Sequence, residues 1–447
     1  MRNILTIAKL TFLLSIRKGS LWGILLFIAG ISTFVFWVST GDNVLINELQ
    51  LRIHYSYAIA YSFLTLIVIS VSCYTVRSQI DGRQMHMLTS FPISRGQIWL
   101  GKWLGLVLIA AVAEILLCAS LVTWSYVFTR SYSPDDIEIA KSFFATAKYE
   151  VRPQEISQKK RTEERIKWLI QEKKLTPGEL NNDIRKRIFE QIRKEDQLIS
   201  PNGEKIWQFD LKRKPVSGDH IELKFKFYAQ SRRKLVSGTW SISAPGKIES
   251  YAVDFEVYPY AYNTIRIPLT QIPDNGKFLV KLNGRNATEL IVGRQSGLRI
   301  YYEDGSAARN IAKAMILQLI HLAVTAAVGL TAGVAFTFSV ASFMSIVLYF
   351  LSVSATFFTG IVQDLTYGYH ISLIDQIAAI IIKCGMWLAK GLQPPPIISQ
   401  IGSSTSIPLG QLFVTWCPAI FTYGVVIILL GVFLLKQKEL DKVVTQL

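Results

Sequence analysis

The sequence predicts a polytopic α-helical membrane protein, with about six transmembrane helices and one large extracytoplasmic α+β insertion. Three observations carry this. Half of the 447 residues are hydrophobic, and they gather into long runs that at about 1.5 Å per residue can cross a hydrocarbon core of about 30 Å. Those runs stop between about Arg130 and Arg309, where charged and alternating segments take over. The polar stretch Arg77–Lys102 lies between two apolar runs and carries Arg77, Arg83, Arg95 and Lys102 against Asp81 alone, which by the charge bias of membrane loops places it in the cytoplasm.

Residues 1–18 alternate Ile4, Leu5, Ala8, Leu13 and Ile16 with Arg2, Thr6, Lys9, Ser15 and Arg17, the pattern of a helix lying in the membrane interface. No small-residue cleavage pattern follows, so it reads as an uncleaved segment. Residues 19–129 hold three spans, at about 20–40, 57–76 and 102–128, with an outer loop containing Asp42, Asn43 and Glu48 after the first. The loop at 77–101 has its own grammar. Gln84–Thr89 forms a short helix with Met85 and Leu88 on one side, Pro92 ends it, and Ser94 caps a second helix running through Ile98.

The insertion, residues 130–309, divides by periodicity. Its first part, 134–200, places Ile166, Leu169 and Ile170, then Leu180, Ile184, Ile188, Phe189 and Ile192, at helical spacing around Thr176-Pro177-Gly178. From 203 to 303 the period becomes two, as where Ile221, Leu223, Phe225 and Phe227 alternate with Glu222, Lys224 and Lys226, and the short strands suggest a jelly-roll-like β-sandwich.

Residues 310–447 hold the remaining spans, at about 307–338, 340–362 and 411–435. Gly329 and Gly333 form a small-xxx-small pair in the first of these, readable as a helix contact or as chance in a Gly- and Ala-rich span. Residues 371–390 place Asp375, Gln376, Ala379, Lys383 and Lys390 near one helical face before Pro394-Pro395-Pro396, so they read as an outer or re-entrant amphipathic helix. Both termini then fall in the cytoplasm, and the cell or inner membrane is the expected location.

The 77–102 stretch resembles the ABC-2-type exporter permeases grouped with multicopper-enzyme maturation and gliding motility. Leu88, Pro92, Ser94, Arg95, Ile98, Gly101 and Lys102 match that family's loop between spans two and three; its Glu-rich lead-in is only loosely matched by Asp81, Gly82 and Arg83. The resemblance implies a transmembrane permease subunit, with Met85, Leu88, Pro92, Ser94 and Arg95 on a coupling helix that meets a separate ABC ATPase. It further implies a second permease subunit, the same or related. ATP and Mg would be bound by the ATPase partner, with no cofactor in this chain, and the outer domain would meet cargo or an envelope partner. The alternative is a non-transporting membrane scaffold or sensor that displays the outer domain.

The residues support no chemistry of their own. No G-x-x-x-x-G-K-S/T loop, H-E-x-x-H or G-x-S-x-G motif occurs, so neither nucleotide binding through a P-loop nor hydrolysis is expected. The formal net charge of +16 is spread over inner loops and the insertion with acidic residues interleaved, which fits topology and anionic headgroups better than nucleic acid. The four cysteines lie in or near apolar runs and form no metal spacing. His220 and Glu222 share a strand face but supply only two ligands, and Asn286-Ala287-Thr288 is a bare glycosylation sequon. Trp240, Tyr251, Tyr258, Tyr260 and Tyr262 form either a platform for a sugar or lipid headgroup, or strand packing. Glu114 and His321 stand out, because ionisable side chains in a bilayer are costly. Counted from Lys102 and Ile311 they lie roughly 18 Å and roughly 15 Å in, both near mid-depth. They read as a structural polar pair, as lining of a substrate path, or as groups linked to proton movement.

Overall fold

The computed structural model describes residues 2–41, 45–82, 84, 92–153, 158–172, 175, 182–211, 219–229, 234–243, 250–285, 289–293, 297–355, 357–358, 373–395, 397, 400, 405–407, 410, 413 and 417–437. Two compact units result: Met1–Ala145 with Ala307–Gln363 and Ile374–Leu447, and Thr146–Ser306 with Asp364–Leu373. In chain order the helices are α1 (Arg2–Arg17), α2 (Ser20–Val38), α3 (Leu45–Asp81), α4 (Arg95–Thr129), α5 (Pro134–Ala145), α6 (Gln158–Gln171), α7 (Asn182–Glu195), α8 (Ala307–Ala335), α9 (Phe338–Val353), α10 (Leu373–Ala389) and α11 (Cys417–Gln437). The protein is mostly helical, with separate β-sheets in the second unit.

Among the described residues, five helical segments are long and apolar enough to cross a membrane: α2, α3, α4, α8 and Ile420–Gln437 of α11. Of the span expected at 340–362, the described part contains α9, 16 residues or about 24 Å long, followed by Ser354, whose amide bonds back to the Phe350 and Ser352 carbonyls; residues 359–362 lie outside the described residues. Helix α3 begins earlier than expected, at Leu45, and converts most of the expected outer loop into helix. The reason is an ion pair inside that turn. Glu48 and Arg52 are buried and meet at 3.0 Å, Glu48 accepts from the Gly41 amide at 2.8 Å, and Arg52 donates to the Phe36 carbonyl at 2.6 Å while lying 4.3 Å from the Phe128 ring centroid.

Small residues set the closest helix contacts. A Cβ on Gly329 would come 2.7 Å from the Ile69 carbonyl oxygen and one on Gly333 would come 2.6 Å from that of Cys73, so the α8 pair is a true contact with α3. Likewise α1 lies against Gly101 and Gly105 of α4, where added Cβ atoms would come 2.6 Å from Ile7 Cβ and 2.7 Å from Thr11 Cβ. Between α1 and α2 the chain turns at Gly19, whose φ of 74° is left-handed. Helix α10 exposes Ile374, Ile377, Ile380 and Ile381 and buries Ala379.

The second unit contains β1 (Thr146–Val151), β2 (Leu198–Ile199), β3 (Glu204–Asp210), β4 (His220–Phe225), β5 (Phe227–Ala229), β6 (Val236–Ser243), β7 (Ser250–Val257), β8 (Asn263–Pro268), β9 (Lys277–Gly284), β10 (Leu290–Val292) and β11 (Leu298–Ser306). Their sheets run β1-β11-β4-β8, β2-β10-β5 and β3-β9-β6-β7. The alternation seen in the sequence sends Ile221, Leu223 and Phe225 into one core with Trp240, Phe278 and Val280. Strand β1 falls in a stretch expected to be helical. Its partner β11 is distant in sequence, so local periodicity carries little sign of the pairing. Helices α6 and α7 share their own cluster of Ile166, Ile188 and Ile192.

Candidate functional site

The segment leading into α4 is fastened at several points. Ser94 forms a capping box: its hydroxyl accepts from the Gln97 amide and its amide donates to Gln97 Oε1, both at 3.3 Å. Arg95, next in line, donates through Nη1 to the carbonyls of Leu435 at 3.3 Å and Lys436 at 2.9 Å, which close the end of α11. Arg77 pairs with Asp81 at 2.7 Å and reaches the Phe336 carbonyl at 3.3 Å. Lys102 is buried and donates to Gln79 Oε1. Thus the ends of α3, α4 and α11, the turn after α8, and the flank of α1 meet at one end of the helical unit. Pro92 stands just before the Ser94 cap; Met85 and Leu88 lie outside the described residues.

Deeper in the same unit a buried polar chain crosses three helices. Tyr57 and Tyr61, one turn apart on α3, stack with centroids 6.1 Å apart. The Tyr57 hydroxyl donates to Glu114 Oε1 of α4 at 2.5 Å and also bonds the side chain of Gln318 on α8. Tyr61 bonds His321 Nδ1 at 2.7 Å and approaches the Gln318 carbonyl at 3.4 Å. His321 Nε2 then meets the Leu392 carbonyl at 2.9 Å. A carbonyl only accepts, so Nε2 carries the proton, and in the neutral ring Nδ1 accepts from Tyr61. A phenol has one proton to give. Turning the Gln318 amide lets its nitrogen donate to Tyr57 while Tyr57 donates to Glu114, and this gives a partner to Gln318 Nε2, which otherwise has none.

Glu114 and His321 therefore belong to one network, but Tyr57, Gln318 and Tyr61 make the links. Those three escaped the sequence reading. Their signal was present as tyrosines at i,i+4 inside an apolar run and a Gln–His pair at i,i+3, spacings that put each pair on one helix face. Earlier on α8 than the network, Asn310 donates to the Thr405 carbonyl and accepts from the Ile407 amide, each at 2.8 Å.

In the second unit the remaining candidates separate. Both Glu222 carboxylate oxygens are taken by Lys148, at 2.8 and 2.9 Å, and no cluster of metal-binding side chains occurs among the described residues. Trp240 is 1% exposed and belongs to the core, whereas Tyr258 and Tyr262 are exposed. The sequon Asn286-Ala287-Thr288 lies outside the described residues.

Comparisons with protein-family models, curated proteins and solved structures return no match.

Proposed function

We propose that the chain is the transmembrane permease subunit of an ABC-2-type exporter, moved by a separate ATPase that binds the loop at 77–101. The supporting observation is the fastening around that loop. A force applied to residues 84–95 enters α4 through the Ser94 cap, α11 through Arg95, and the α1 contact through Gly101 and Gly105. Such a joint suits transmission, because packed helices shift as units rather than deform continuously. Arg77, Arg95 and Lys102 lie at this end, and Lys436 is in the last turn of α11 there, which favours a cytoplasmic placement with both termini inside.

A second copy or related subunit would complete the pathway, and ATP and Mg would belong to the ATPase. The β unit would face outward as a jelly roll. In its support, β1 pairs with β11, β3 with β9, β4 with β8 and β6 with β7, the nested antiparallel pairing of one long hairpin rolled on itself.

The deciding experiment is detergent purification of the full chain with identification of any co-purifying ABC ATPase, together with ATP turnover of the reconstituted pair. Leu88→Glu and Met85→Glu should lower association by orders of magnitude, since an unpaired charge desolvated at a contact costs several kcal/mol. Unchanged association and turnover would overturn the coupling assignment and favour a scaffold.

A further inference from the structure

The outer face of the β1-β11-β4-β8 sheet carries a basic and aromatic corner that core packing does not require. Strand alternation places Lys224 on this face of β4, and Lys226 directly follows the end of the strand, half-buried like Lys224, with the core residue Phe225 between them. Cross-strand register puts Arg299 beside Lys224. Nearby charges are already paired: Lys148 with Glu222, and Arg299 and Arg152 with Glu150. Neither Lys224 nor Lys226 forms a salt bridge among the described residues. Instead their ammonium groups lie 5.1 and 5.0 Å from the ring centroid of Tyr262, and Lys226 lies 5.0 Å from that of Tyr228.

A strained turn helps place that ring. Tyr260 has φ of 69°, an uncommon conformation for a bulky residue. It is held by its amide, which donates to the Phe227 carbonyl at 2.7 Å, and by its hydroxyl, which donates to the Ala229 carbonyl at 2.7 Å. Backbone strain persists where the surroundings enforce it, and it concentrates at ligand clamps. Here it accompanies the placement of an exposed Tyr262 against two lysines. Burial, with Arg299 and Lys148 near, also holds the Lys224 ammonium below the ordinary lysine range, despite opposing attraction from Glu222.

We infer that this corner binds an acidic saccharide: the lysines take its carboxylate or phosphate, and the exposed Tyr262 ring stacks on its pyranose face. Charge complementarity selects an anion, and an exposed aromatic ring beside the charge selects one with a flat C–H face. An anionic bilayer fits less well. The lysines are half-buried among the rings, whereas binding to a lipid surface favours cations that project from the protein.

The test uses the full chain in nanodiscs of uncharged lipid, titrated with oligogalacturonate and phosphomannan, with maltooligosaccharide as the neutral sugar and polyglutamate as the sugarless anion. The acidic sugars should bind, and Lys224→Gln/Lys226→Gln and Tyr262→Leu should each weaken binding about tenfold or more. An unchanged thermal transition verifies folding of each variant, and the single Lys226→Gln variant, expected to lose severalfold, replaces the double if it fails to fold. Failure of both acidic sugars to bind overturns the site. So does equal binding by polyglutamate, equal binding by the variants, or capture by phosphatidylglycerol vesicles alone.

Discussion

Glu114 on α4 and His321 on α8 are joined through Tyr57 and Tyr61, two phenols one turn apart on α3. The pair thereby acts as the two ends of one network across three helices. Tyr57→Phe should destabilise the purified protein by about 1–3 kcal/mol, because it removes a buried partner from Glu114. In thermal unfolding, Glu114→Gln combined with Tyr57→Phe should show stronger coupling than Glu114→Gln combined with His321→Gln. The reverse order would mean that the tyrosines are bystanders.

The α3–α8 contact should be intolerant of even one methyl group. Gly329→Ala and Gly333→Ala drive Cβ toward backbone oxygens of Ile69 and Cys73, and each should cost about 1–3 kcal/mol. Gly385→Ala meets nothing within 4 Å and serves as the comparison. Equal melting temperatures for all three variants would contradict the close approach.

Arg95→Ala separates a clamp from a docking residue. Loss of the bonds to Leu435 and Lys436 should accelerate amide exchange in the last turn of α11. If Arg95 is chiefly a clamp, ATPase pull-down should fall less than in Leu88→Glu; a larger fall would assign Arg95 to the contact itself.

Cysteine labelling of intact cells tests sidedness. Substitutions at Ser217 and Asp274 should react from outside, and those at Arg83 and Lys438 should not. Outside labelling at Arg83 would invert the proposed orientation.

Alkaline titration reaches the second unit. Burial, reinforced by Glu150, pushes the Tyr301 phenol up to about 12. The unfolded chain loses this proton at the ordinary tyrosine value, so the folded state binds more protons between that value and about 12, and stability falls as pH rises through the window. Tyr301→Phe should flatten this loss in urea melts and remove one late phenolate from the absorbance titration. Lys224 acts oppositely in its own window: its lowered value makes the folded state bind fewer protons there, so stability rises with pH up to the ordinary lysine value.

By itself the sequence determined the features that depend on local order. Apolar run length marked the helices of the membrane unit, alternation marked the core face of β4, and Ser94 marked the start of α4. These signals repeat within a few residues, at the period of the element itself. Tertiary structure decided what depends on distant partners: β1 as a strand against β11, Glu48 as a buried ion-pair member rather than a loop residue, Trp240 as core, and Arg95 as the clamp on α11. Tyr57, Gln318 and Tyr61 show the physical reason most directly. A tyrosine or glutamine is an unremarkable residue in one helix, and it becomes part of a polar network only when another helix brings the atom that completes its hydrogen bond.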